Sequence, residues 1–215
     1  MIHEYDFLDS NQLRQMISLF DAGKFVDGAK SGPKDKEVKN NTQQDDIEIN
    51  KMVNTGIAKI MRSSEMCREI PLNKCSPCLM LKYEEGQHYY DHSDFFEMNG
   101  CRTDYTAVIN LNDDFEGGEH YIKLGTDVVE KKPAPGRMLV YPTEFIHGVR
   151  PVTSGVRKCI TFWIESSVSD VFMREYICGL NRVYNKIHDQ LDGETLRELD
   201  LVRMGIIRRS SIFRN

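Results

Sequence analysis

The sequence predicts an α+β fold: a β core at about residues 78–165, supporting helices before it and a helical extension after it. Three textures carry that prediction. Apolar residues recur at helical spacing as far as Met61. From residue 78 to 165, short apolar and aromatic runs alternate with Gly, Asn, Asp and Pro, the texture of an antiparallel sandwich or barrel. After Glu165 helical spacing returns. A chain of 215 residues builds one sizeable core. The organisation expected is therefore one domain over 1–167 with a helical extension, 168–215, packed on it.

Each element has its own signal. Asp9 with Gln12 three residues on marks a helix start, and Leu13, Met16, Ile17 and Phe20 supply one apolar face. Gly23 is the stop. Residues 27–46 are charged and polar, with Gly28, Gly32 and Pro33, and are expected to form a loop over a site or a solvated connection. Ile49, Met52, Val53, Ile57, Ile60 and Met61 mark a second amphipathic helix. Strands are expected at Cys78–Tyr83, Thr106–Leu111, Glu119–Leu124, Arg137–Tyr141, Val149–Val152 and Lys158–Glu165. Gly117-Gly118, Pro133-Ala134-Pro135-Gly136 and Thr153-Ser154-Gly155 read as turns. Val168–His188 and Glu194–Arg203 read as the closing helices, and the basic end with Arg203, Arg208, Arg209 and Arg214 as a solvated face.

Composition narrows the function. A net charge of −5 argues against a nucleic-acid scaffold. No apolar run reaches membrane-spanning length, and the first residues carry no secretory pattern. The six cysteines are accordingly expected to be reduced thiols in a cytoplasmic setting. Cys75-Ser76-Pro77-Cys78 has no second C-x-x-C or H-x3-H to complete a zinc site, so buried or incidental thiols are the expectation.

The chemistry concentrates in Tyr90-Asp91-His92-Ser93-Asp94 and, some fifty residues on, His147. In an extended segment, residues i and i+2 point the same way, so His92 and Asp94 can reach one point in space. Two neutral imidazoles and one carboxylate hold one face of an Fe(II) ion and leave the other face open. On the last strand, Arg157, Cys159, Thr161 and Trp163 share a face, a wall with a guanidinium, a hydroxyl and an indole N–H. Arg suits a carboxylate because its fork donates two parallel hydrogen bonds. His88 and His120 show no comparable arrangement and are read as non-ligands.

These residues resemble the Fe(II)/2-oxoglutarate-dependent dioxygenases of the prolyl 4-hydroxylase-like branch, and most closely the PKHD-type hydroxylases. Tyr83-Glu84-Glu85-Gly86-Gln87-His88-Tyr89-Tyr90-Asp91-His92-Ser93-Asp94 follows the branch's Tyr, Gly and Tyr spacing before H-x-D. Phe115-Glu116-Gly117-Gly118-Glu119 matches its F/Y-x-G-G-E turn, and Pro135-Gly136 through Leu139-Val140-Tyr141-Pro142 leads to His147 as there. Arg157, Ile160, Thr161 and Trp163 match its R-x-x-I/F-T-x-W strand. Phe25-Val26-Asp27-Gly28 and Val38-Lys39-Asn40-Asn41 look like PKHD-type sequence.

The resemblance implies a double-stranded β-helix, or jelly roll. It implies His92, Asp94 and His147 as iron ligands and Arg157 as anchor of the 2-oxoglutarate C5 carboxylate. Tyr83 and Thr161 are placed beside the cosubstrate, and Tyr89, Phe95 and Trp163 near the substrate, with strand packing an equal reading for the tyrosines. Fe(II), 2-oxoglutarate and, as an auxiliary, L-ascorbate (vitamin C) are the cofactors implied. The implied reaction consumes O2 and 2-oxoglutarate, releases succinate and CO2, and hydroxylates an unactivated C–H bond. Asp94 argues against a halogenase, in which a halide takes the carboxylate's place. A prolyl or other amino-acid residue of a peptide or protein is the leading substrate. A small-metabolite dioxygenase, a silent metal- or peptide-binding jelly roll and a zinc hydrolase stand as alternatives, the last two opposed by Arg157 and the Tyr83 segment. Oligomeric state is not legible.

Overall fold

The structure, a computed structural model, describes residues 2–212, so Arg214 lies outside the described residues. Two antiparallel sheets face each other. The larger runs, in spatial order, His3–Asp6, Arg137–Pro142, Tyr105–Asn110, Arg157–Ser166, Leu79–Tyr83, Thr42–Gln44 and Phe25–Asp27, with Leu72–Cys75 also paired to Arg157–Ser166. The smaller runs Asp127–Lys131, His120–Leu124, His147–Val149, His88–His92 and Lys39–Asn40. This is the jelly roll the resemblance implied, and the strands expected at Cys78–Tyr83, Thr106–Leu111, Glu119–Leu124 and Arg137–Tyr141 agree closely with those observed at Leu79–Tyr83, Tyr105–Asn110, His120–Leu124 and Arg137–Pro142.

Period-two alternation sorts the side chains into two cores. Tyr105, Ala107, Ile109, Ile160, Phe162 and Ile164 point out of the large sheet onto the helices, where they meet Phe20, Ile49, Val53, Ile57 and Met66. Leu81, Tyr83, Val108, Leu139, Tyr141 and Cys159 point inward, towards Ile122 and Val149 of the small sheet. The helix Ser10–Ala22 starts where expected: Asp9 caps it and Gln12 bonds back to the Asp9 N–H. Ile47–Met61 is the second helix, capped by Asp46.

Three expectations are corrected. Val149–Val152 is not one strand: His147–Val149 and Val152–Gly155 belong to different sheets, because Pro151 has no N–H to continue a ladder. Residues 27–46 are not a plain loop. They hold the 3-10 turn Gly28–Ser31 and the short strands Lys39–Asn40 and Thr42–Gln44, one on each sheet. The last helix, Gly193–Ser210, runs well beyond Arg203.

The C-terminal helix Val171–Ile187 is tied down by charge as well as packing. Arg174 pairs with the buried Asp104, which also takes Arg102 and the Ser166 N–H. Asn181 donates to the Glu69 carbonyl at 2.7 Å.

The Gly117-Gly118 turn presses directly on the strand that carries Arg157. Both glycines have positive φ, 66° and 65°, and a Cβ on Gly117 would sit 2.4 Å from the Pro151 carbonyl oxygen. Gly117→Ala is expected to cost about 1–3 kcal/mol; a lowered midpoint in urea unfolding, at unchanged slope, checks it.

Candidate active site

The site lies between the two sheets. The strand His88–His92 pairs with His147–Val149, matching His92 to His147 and Val149 to Tyr89. Between these pairs, Tyr90 and Asp91 on one strand lie against Gly148 alone on the other, a bulge. It turns both Tyr89 and His92 into the cavity, where simple alternation would separate them. The two rings stack, with centroids 3.4 Å apart and planes 7° apart.

Among the described residues, His92, Asp94 and His147 form the one group of metal-ligating side chains near enough to share an ion, their donor atoms all within 4.8 Å of one another. His92 Nε2 lies 3.7 Å from Asp94 Oδ1, and His147 Nε2 lies 3.5 Å from Asp94 Oδ2. Each imidazole is oriented from behind. His92 Nδ1 meets the Tyr90 carbonyl at 2.8 Å and His147 Nδ1 meets the Phe145 carbonyl at 2.9 Å. Carbonyls only accept, so both Nδ1 atoms carry a proton and both Nε2 atoms face the shared point. Burial, then the neighbouring His147, pushes the His92 pKa down to about 4, so its ring is neutral at pH 7.

Asp94 is oriented the same way. Its Oδ2 accepts from Trp163 Nε1 at 2.8 Å and from Thr106 Oγ1 at 2.9 Å, and Thr106 in turn bonds Thr143 at 3.0 Å. Two imidazoles, a carboxylate and an outer shell that fixes all three suit a divalent ion such as Fe(II), with positions left open. The indole that alternation puts on this face therefore holds a carboxylate as well as lining a wall. Trp163→Phe is expected to weaken metal binding about tenfold or more, the range for losing such an outer-shell partner. Equilibrium dialysis with metal analysis measures it.

Arg157, Cys159, Thr161 and Trp163 all line a cavity of about 140 Å³, together with the three metal-type residues, as alternation along Arg157–Ser166 predicts. Arg157 is 4% exposed, and no carboxylate among the described residues pairs with it. Its Nη1 donates to Cys159 Sγ at 3.0 Å, and its guanidinium lies over the Tyr83 ring at 5.2 Å. Tyr83 sits opposite Arg157 in the strand register and is fully buried, and that burial raises the phenol pKa and keeps it neutral. Thr161 donates to the Ala107 carbonyl at 3.1 Å, which leaves it acceptor capacity only towards the cavity. Phe95 is 68% exposed at the mouth, beside the still more exposed Phe96.

Two residues on the cavity wall carry more than their sequence signal. His120 is buried, with Nε2 3.0 Å from the Tyr141 hydroxyl and its ring 5.6 Å from that of His147. Burial holds its pKa well below the usual value, so it is a neutral packing group behind His147. Lys39 reaches the cavity from the outer strand of the small sheet; its segment was marked by the family resemblance, but no local periodicity placed its side chain there. The thiols at 67, 75, 78, 101, 159 and 178 are all free.

Comparison with known proteins fits this geometry. Residues 78–165 match the 2OG-Fe(II) oxygenase superfamily, a class of enzymes whose name gives Fe(II) and 2-oxoglutarate. Within that class, the protein is 32% identical to a PKHD-type hydroxylase of Acaryochloris marina over 82% of this chain and 83% of that one. A PKHD-type hydroxylase of Sphingopyxis alaskensis is 30% identical over 94% and 95%. The chain belongs to the PKHD-type hydroxylases. In fold it resembles a Pseudomonas putida prolyl-4-hydroxylase, with TM-score 0.59 and 20% identity over 77% of this chain and 92% of that one. It also resembles a Trichoplax adhaerens prolyl hydroxylase solved with a hypoxia inducible factor peptide fragment, with TM-score 0.57 and 20% identity over 77% and 83%.

Proposed function

We propose that this hydroxylase acts on a prolyl, or other amino-acid, residue of a peptide or protein. His92, Asp94 and His147 are the iron ligands and Arg157 binds the C5 carboxylate of 2-oxoglutarate. The observation that carries the reading is the course of the cavity. It runs from the buried, carboxylate-free Arg157 past the three ligand side chains to a mouth bearing Phe95. Exposed Tyr90, Phe96 and Ile146 lie close in sequence to the ligand residues and offer apolar surface suited to a peptide segment. The peptide-bound Trichoplax adhaerens neighbour, alike in fold, supports this choice of substrate.

When bound, iron would activate O2, the oxidant, with 2-oxoglutarate as the co-reductant that leaves as succinate and CO2, so that one oxygen atom goes into the C–H bond and the other into succinate. The protein's part is ligation, orientation and shielding. His92 and His147 present Nε2 to the ion because backbone carbonyls hold their Nδ1 atoms from behind. Trp163 and Thr106 fix the Asp94 carboxylate. Tyr89, stacked on His92, stiffens the ligand and lines the cavity beside it. Tyr83 packs beneath Arg157, and Thr161 gives shape to the cosubstrate end. Residues 1–167 form the catalytic domain and 168–215 a helical extension that braces it. Six free thiols suit a reducing, cytoplasmic compartment.

The test is a mass-shift screen of proline-containing peptides and of small acids, run with Fe(II), 2-oxoglutarate and O2, with and without L-ascorbate. A gain of one oxygen on a prolyl peptide, matched by succinate release, is the expected result. Oxygen gain on small metabolites alone would replace the peptide reading with the small-metabolite one.

A further inference from the structure

Lys39 is the least expected group on the cavity wall. It is 2% exposed, and among the described residues no carboxylate lies within ion-pair distance of its Nζ, Asp94 and Asp27 acting on it only from farther off. That nitrogen donates to the Ser31 carbonyl at 3.2 Å and to Ser31 Oγ at 3.3 Å, and lies 5.0 Å from the centre of the Tyr89 ring. An ammonium carries three donors, so one is left for the cavity. The position is built. Lys39 lies opposite Tyr89 in the strand register, and Ser31 is held in turn by the Gln43 side chain. A Cβ on Gly32 would come within 2.9 Å of Nζ and 3.4 Å of the Tyr89 hydroxyl, so the covering segment approaches as closely as it can.

A buried, unpaired ammonium is costly unless a counter-charge arrives. The cavity thus holds two such cations on different sheets, Arg157 on the large one and Lys39 on the edge of the small one. The nearest acid in the site, Asp94, already serves Trp163 and Thr106. With Arg157 taken by the cosubstrate, the second cation calls for a second anion. We infer that Lys39 is a specificity residue that binds a carboxylate of the substrate, close to the carbon that is hydroxylated. The inference rests on the hydroxylase reading above and narrows its substrate class to acids. The carboxylate comes either from a peptide C-terminus (or free acid) or from an acidic residue beside the target.

Three probes separate these sources: N-acetyl-L-proline, its amide, and N-acetyl-Asp-Pro-amide. Each is titrated anaerobically into the protein loaded with Fe(II) and 2-oxoglutarate, following the fluorescence of Trp163, the single tryptophan of the protein. At least one acid is expected to bind about tenfold or more tighter than the neutral amide, the worth of one charge-assisted hydrogen bond. Tight binding of N-acetyl-L-proline assigns the carboxylate to a C-terminus or free acid, and of the Asp-Pro probe to an acidic residue. Lys39→Met should erase the preference, Lys39→Arg should keep part of it, and both should bind 2-oxoglutarate with the wild-type midpoint, which also reports that they fold. Equal binding of acids and amide, a preference that survives in Lys39→Met, or a 2-oxoglutarate midpoint displaced in that variant would each overturn the inference. Hydroxylation of uncharged prolyl peptides alone would sink it while leaving the peptide hydroxylase reading intact. Acid binding without any peptide hydroxylation would do the reverse.

Discussion

His147→Ala is expected to abolish turnover and to weaken Fe(II) binding by more than the roughly 10–100-fold typical of losing an outer-shell partner. The reason is the donor count. On the proposed assignment the protein gives three donors, and His147 is the one from a different strand, so its loss leaves two donors from a single short segment. His147 is also the most buried of the three, with 4% of its side chain exposed, and its Nδ1 proton is held by the Phe145 carbonyl. His147→Gln keeps bulk and a polar tip and separates lost ligation from lost packing. Dialysis against Fe(II) with metal analysis should show both variants depleted while their unfolding midpoints stay near that of the wild type. Wild-type metal content in His147→Ala would remove this residue from the ligand set.

Arg157→Ala should raise the 2-oxoglutarate midpoint roughly 100-fold or more while leaving metal binding nearly unchanged. Two hydrogen bonds from a guanidinium to a carboxylate are worth about 1.5–3 kcal/mol each, and about 1.4 kcal/mol is tenfold in affinity. The bonds are available because the guanidinium is buried without a carboxylate partner, steadied by Cys159 and Tyr83. Arg157→Lys should recover only part of the loss, since an ammonium is a point charge and cannot reproduce the planar fork. Succinate release against 2-oxoglutarate concentration distinguishes the outcomes: the effect belongs in KM for the cosubstrate. An unchanged KM in Arg157→Ala would reassign the anchor.

What the sequence made legible follows from what is local. His92 and Asp94 lie two residues apart in an extended segment, so their convergence needed only the geometry of a strand. The inward face of Arg157–Ser166 was legible for the same reason, because that strand is long and unbroken. Tyr89 was placed at the site by the family resemblance and not by alternation, because the bulge beside it adds a residue and reverses its side. Lys39 sits in a two-residue strand inside a polar stretch, where no periodicity can develop, and its burial comes wholly from the segment folding over it. His3–Asp6 and Asp127–Lys131 escaped for a related reason: both are short, charge-rich strands, and Asp127–Lys131 ends the smaller sheet. The bond from Trp163 to Asp94 joins residues 69 apart, and no one-dimensional pattern encodes it.

The central claim is that one ion, held by His92, Asp94 and His147, and one 2-oxoglutarate, held by Arg157, share this cavity. Anaerobic titration with Fe(II) and 2-oxoglutarate tests it directly, by the visible metal-to-ligand charge-transfer band of the chelate. The account predicts a band that saturates at one equivalent of iron, disappears in His147→Ala and shifts to higher 2-oxoglutarate concentration in Arg157→Ala. No band in the wild type, or the same band in His147→Ala, would contradict it.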